Sequence, residues 1–124
     1  MSFQEVGAQF VQHYYAFFST QRAQLAGVYR ASTLLTWQSE QLQGVEAITA
    51  RFANLGFTEA QFKTDSVDCQ PSLSGGVLVV VNGEVALKDE RHPLKFNDVF
   101  HLAQDNGQWY VSNQIFNIVG GGGQ

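Results

Sequence analysis

The chain is poor in the residues from which covalent and metal chemistry is built. Its 124 residues hold a single cysteine, Cys69, which excludes an internal disulfide and any zinc site made of clustered thiolates. Cys69 reads as a buried strand thiol. Basic charge is scarce as well: seven Lys and Arg against eleven Asp and Glu give a net charge of -4. The bases are scattered as Arg22, Arg30, Arg51, Lys63, Lys88, Arg91 and Lys95. Without a basic stripe nucleic acid is not an expected partner. No stretch approaches the ~18 apolar residues that a spanning helix needs. The start, Met1-Ser2-Phe3-Gln4-Glu5, lacks the positive and apolar regions of a signal peptide, so a soluble intracellular protein with no membrane insertion is expected. Neither a catalytic triad nor a cofactor motif is visible, and no cofactor or metal is expected.

What the chain has in quantity is aromatic rings: ten Phe, four Tyr and two Trp. So many large rings in one small domain point to a curved sheet wrapped round helices, with rings lining a concavity. Phe3, Val6, Phe10, Tyr14, Phe17 and Phe18 recur at threes and fours, which predicts an amphipathic helix over residues 2–19. Ser19-Thr20 offers cap chemistry for a second, shorter helix through Leu25 to Tyr29. Leu34-Leu35-Thr36-Trp37 reads as a short strand, and Val45, Ile48 and Phe52 as a third helix ending near Asn54.

Beyond Gly56 the pattern is β. Residues 61–69, 77–87, 94–103 and 109–119 are rich in Val, Phe and other strand formers, separated by polar turns that include Asp105-Asn106-Gly107. That predicts an antiparallel meander. Asn82-Gly83 is a strong hairpin signal, but a strand continuing past a glycine bulge is favoured because the obvious polar turn comes five residues later. In the last strand Trp109, Val111 and Ile115 alternate with Tyr110 and Phe116. A sheet apolar on both faces must be covered on both, and three helices cover one, so a homodimer is the default. Residues 1–119 are read as one domain, and the glycine run at 120–124 as a flexible tail.

Five segments carry a family resemblance: FVQHYYAFF (10–18), LLTWQSEQLQG (34–44), DCQPS (68–72), PLKFNDVFHL (93–102) and YVSNQIF (110–116). In order and spacing the chain resembles the nuclear transport factor 2 family over almost its whole length. The resemblance implies an α+β, cone-shaped fold: three N-terminal helices against a strongly bent antiparallel sheet with an internal cavity. It further implies a homodimer joined through the sheets that carries the GDP form of the small GTPase Ran through the nuclear pore. Such carriers touch Phe-Gly nucleoporin repeats, which implies a place in cytoplasm and nucleus, concentrated at the pore and envelope.

Carried over residue by residue, the resemblance implies a Ran-binding cavity lined by Trp37 and Phe116, with Leu55 and Phe57 near its mouth. From period alone Trp37 and Phe116 read as core rings; the family match reverses that. Phe3 matches an aromatic position that helps bind Phe-Gly repeats, its other reading being a helix-end or dimer contact. At the polar rim, Gln38 stands where most members have glutamate, with Glu40 two residues on and expected on the same strand face. Asp89 and Glu90 supply an acidic hairpin, with Lys88 where a further acid is common. Gln114 and Asn117 replace the usual Asp and Arg of the last strand.

Two other readings stand beside the carrier. Related domains serve as heterodimerisation subunits in mRNA export. The cone fold also hosts isomerases, dehydratases and hydrolases, for which Asp98, Asp68, His101 and Tyr14 are the candidate acids, bases and partners. Strand parity counts against these, because Asp98 and His101 are three apart and fall on opposite faces. His13 reads as a partly exposed helix residue, so no enzyme is expected.

Overall fold

The computed structural model describes residues 2–57, 59–88 and 91–121. Helix α1 runs Phe3–Thr20 and opens with a capping box, in which the Ser2 hydroxyl accepts from the Glu5 backbone while Glu5 reaches back to Ser2. Ser19 and Thr20, expected to cap a second helix, instead lie in the last turn of α1. Their hydroxyls donate to the carbonyls of Tyr15 and Ala16, one turn back. The second helix is a 3₁₀ segment, Arg22–Val28, with no side-chain cap. Strands β1 (Leu34–Trp37) and β2 (Glu40–Gln43) form a hairpin, and α2 (Val45–Ala53) follows.

The rest is β3 (Ala60–Pro71), β4 (Val77–Leu87), β5 (Leu94–Asp105) and β6 (Gln108–Gly121), an antiparallel meander as expected. The six strands form one sheet in the order β2-β1-β6-β5-β4-β3. It is not antiparallel throughout, because β1 lies parallel to β6, with Trp37 opposite Phe116. Helix α1 covers β3 and β4, and α2 packs on β2 and the 3₁₀ helix. The inner face and the helices enclose a core of rings that includes Tyr14, Phe18, Phe52, Phe96 and Phe100.

Irregularities in the ladder decide which side chains reach that core. Strand β4 continues through Asn82-Gly83, but the extra residue is Asp65 on the facing strand β3. Gly83 is there for close approach: a Cβ would run into the Lys63 carbonyl and the Phe96 ring. Asn106 and Gly107 take the left-handed turn instead (φ 52° and 79°). Two bulges on β6, at Ser112 and Val119, bend the sheet. The first corrects the expected alternation. Val111 faces inward, and beyond Ser112 the inward set becomes Gln114 and Phe116 while Ile115 turns out, 47% exposed. The strand also runs into the glycine run, Gly120 pairing with Lys95 and Gly121 with Leu94; residues 122–124 of the expected tail lie outside the described residues.

Candidate functional site

Register places the two rings singled out by the sequence side by side. Trp37 and Phe116 are paired residues of parallel neighbours β1 and β6, so both project from the inner face. Their rings stack at 4.2 Å between centroids and 11° between planes. Phe18 stacks on the other side of Trp37 at 6.0 Å, and Phe96 stacks on Phe116 at 5.8 Å. The strand stops at Trp37 because Gln38 and Ser39 both have positive φ (48° and 74°), making a two-residue turn. The Gln38 N–H donates to the Phe116 carbonyl at 2.9 Å, which fixes that turn against β6.

These rings form one wall of a cavity of about 220 Å³. Phe18, Phe57, Phe62, Val85, Leu87, Leu94 and Ile118 complete it, and Gln38 is its one polar side chain among the described residues. Trp37, Phe57, Phe116 and Gln38 therefore converge as the sequence suggested. Leu55 does not line the cavity; it is half-buried against the core. Phe18, Phe62, Val85, Leu87, Leu94 and Ile118 were not foreseen as lining it. The inward alternation of Phe62 and Val85, directly opposite one another on β3 and β4, was the signal that could have found them.

The rim differs from the expected layout. Glu40 is not two residues along one strand from Gln38, because the turn intervenes and Glu40 pairs across the hairpin with Trp37. Its carboxylate accepts from Arg51 Nε of α2 at 2.8 Å. Asp89 and Glu90 lie outside the described residues. Phe3 opens α1 with its ring 42% exposed.

Gln114, read from the sequence as a weakened interface position, is in the interior and only 1% exposed. Its amide nitrogen donates to Asp98 Oδ1 (3.0 Å) and to the Tyr14 hydroxyl (3.2 Å), and its oxygen accepts from Tyr29 (2.7 Å). Tyr14 and Tyr29 meet at 2.7 Å, and Tyr15 donates to Asp98 Oδ2 at 2.9 Å. Burial pushes the Asp98 carboxyl up to about 8, against the hydrogen bonds from Gln114 and Tyr15, which lower it. Burial raises the tyrosines too.

A perturbed acid is a reason to look for catalysis, but here geometry answers. Asp98 does not line the cavity, and its carboxyl oxygens are taken by Gln114 and Tyr15. His101 is on the opposite sheet face, bonded to Ser72 and Ser112; Asp68 is exposed on β3, and His13 is exposed on α1, bonded to the Gln9 carbonyl. No base and orienting partner meet at a substrate-sized space among these residues. Among the described residues no three His, Cys, Asp or Glu gather as a metal site, and no helix is long and apolar enough to cross a membrane.

Known proteins share both the sequence and this architecture. Residues 6–118 match the model of the nuclear transport factor 2 (NTF2) domain. The chain is 42% identical to nuclear transport factor 2B of Arabidopsis thaliana, covering 91% of each protein. It is 38% identical to nuclear transport factor 2 of Neurospora crassa, covering 96% of this chain and 97% of that one. The structure of nuclear transport factor 2 from Cryptosporidium parvum superposes with a TM-score of 0.89 at 42% identity, over 94% of each chain. This chain belongs to the nuclear transport factor 2 family, and its role is in nucleocytoplasmic transport.

Proposed function

We propose that this protein is a nuclear import carrier that binds the GDP form of Ran and returns it to the nucleus, moving between cytoplasm and nucleus and concentrating at the pore. The observation that carries the reading is the ring-walled cavity of about 220 Å³ with Trp37 and Phe116 stacked in its wall. An apolar cavity of about 150 Å³ accepts benzene, so this one has room for an aromatic side chain presented by a partner. In this reading Phe57, one of the lining rings, stands at its mouth. Gln38, Glu40, Asp89 and Glu90 form the polar rim in this reading, with Leu55 behind it. Because Gln38 is neutral and Glu40 is shared with Arg51, association leans on the buried rings, which set residence time, more than on charge, which sets encounter rate.

Calorimetric titration with Ran loaded with GDP, and separately with a GTP analogue, tests the proposal. Micromolar or tighter binding to the GDP form alone supports it; no binding to either form removes Ran as the cargo.

Phe3 is the contact for Phe-Gly nucleoporin repeats in this reading. Phe3→Ala is expected to weaken binding to a Phe-Gly repeat peptide roughly fivefold with affinity for Ran-GDP unchanged; parallel titrations check both halves.

The outer face of the sheet carries Leu78, Val80 and Val99, half-buried, and the exposed Ile115, an apolar surface with no helix over it among the described residues. A second copy packed there completes the carrier as a homodimer. Ile115→Glu would place a charge on this face in each copy and is expected to convert the dimer to monomer in sedimentation velocity. A wild type that is itself monomeric would instead favour the heterodimerising reading.

A further inference from the structure

One half-buried cation stands behind two walls of the cavity. Arg22, the first residue of the 3₁₀ helix, donates from Nε to the Phe18 carbonyl (3.4 Å) and from Nη1 to the carbonyls of Phe52 and Phe57 (3.2 Å each). Its guanidinium carbon lies 4.8 Å from the Phe18 ring centre and 5.1 Å from that of Phe57, both within cation–π range. The Phe52 carbonyl belongs to the last turn of α2, which has no helical donor of its own. Arg22 thus ties together the end of α1, the end of α2 and the irregular link 54–57, and both rings it touches line the cavity.

Apart from Arg22, the link is held by Asn54, whose side chain donates to the Ala50 carbonyl and whose carbonyl accepts from Arg51, and by Leu55 packed on the core. Gly56 sits at φ +85°, and a Cβ built there would meet nothing within 4 Å. Phe57 follows this glycine directly, and Arg22 holds both its carbonyl and the face of its ring. Lysine could not do this equally well, because an ammonium lacks the planar fork that reaches two carbonyls while stacking on rings.

We infer that Arg22 is a positioning residue for ligand capture: it holds Phe57 at the mouth so that the ring-walled cavity is formed before the partner's aromatic side chain arrives. The inference rests on the reading that the cavity takes an aromatic side chain. Its consequence is preorganisation. Without the clamp the mouth is correctly shaped only part of the time, and apparent affinity falls by that fraction.

The test compares Arg22→Gln with Arg30→Gln. Arg30 is a control of like burial: it lies 4.9 Å from the centre of the Tyr110 ring, donates to the carbonyls of Gly27 and Tyr29 and pairs with Asp105 at 3.5 Å, all remote from the cavity. In ligand-free protein with ring-labelled phenylalanine, Arg22→Gln is expected to shift the Phe57 resonances and Arg30→Gln to leave them in place. Arg22→Gln should weaken Ran-GDP binding about tenfold, the mouth then being competent about a tenth of the time. Arg22→Lys, which keeps the charge but not the fork, should fall between, and serves if the glutamine variant does not fold. Unmoved Phe57 resonances, or full affinity despite moved ones, would overturn the inference, as would equal losses in the Arg30 control. N-acetyl-L-phenylalanine methylamide, followed at the Trp37 indole N–H, is titrated alongside. If wild type binds this probe but not Ran-GDP, the cargo is wrong while the probe still decides for or against Arg22; if it binds neither, both ideas fall.

Discussion

Trp37→Ala is expected to weaken binding to Ran-GDP by at least about 30-fold, the roughly 2 kcal/mol that marks an interface anchor. Trp37 contributes in two ways. In the proposed complex it is the wall against which an entering ring packs, and it stacks on Phe116 at 4.2 Å. Removing it enlarges the cavity and leaves Phe18, Phe52 and Phe116 without the ring they contact. Since Trp37 is only 4% exposed, the same substitution should also cost about 3–5 kcal/mol of stability. Trp37→Phe separates the two effects. It retains an aromatic wall and most of the packing, so its stability should recover more fully than its affinity. Calorimetry with Ran-GDP beside urea denaturation of each variant makes the check. Wild-type affinity in a folded Trp37→Ala protein would take the cavity out of the mechanism.

The cavity was legible in the sequence to the extent that its residues sit on regular strands. Trp37 ends a short strand and Phe116 falls in a motif of the family, so both could be named in advance. Phe62 and Val85 could have been found from alternation, but not as partners of Trp37, because strand order is set by pairing between segments far apart in sequence. The parallel contact of β1 with β6 is such a pairing. Where the ladder slips, alternation misleads. Reading β6 with strict period two puts Ile115 with Val111; the extra residue at Ser112 reverses the faces, turning Gln114 into the core and Ile115 toward solvent. Gln114, read as an interface position from the family's usual last-strand pattern, is instead the hub of a buried network. Nor did Gln38-Ser39 carry the glycine or asparagine that usually announces a two-residue turn, which is why β2 was missed and Glu40 was placed on the wrong strand.

That buried network supports the second large expectation: wild-type stability should fall as pH rises from about 4 to about 8, and Asp98→Asn should abolish that component. The folded-state pKa of Asp98 is about 8, whereas an unfolded aspartate titrates near 3.9. Between those values the folded chain holds a proton that the unfolded chain has released. The contribution is thus fully present below about pH 4 and is lost through the folded pKa, at up to about 1.4 kcal/mol per pH unit. Above about 8 both states are ionised and the slope vanishes. Asparagine is neutral like the protonated acid: its oxygen accepts from Gln114 Nε2 as Oδ1 does, and its amide nitrogen takes the place of Oδ2, where the Tyr15 hydroxyl, the donor to the carboxylate, turns to accept. The groups that face Asp98 are Tyr14, Tyr15, Tyr29 and Gln114, and burial keeps the three phenols neutral throughout the range. Every other titrating group is common to both proteins, so the difference between their stability curves isolates Asp98. Urea denaturation at pH 5, 6, 7, 8 and 9 would show the variant gaining on wild type up to about pH 8 and then running parallel to it. Parallel curves across the whole range would mean that Asp98 is already ionised at pH 5, held as a buried carboxylate by the Gln114 amide and the Tyr15 hydroxyl.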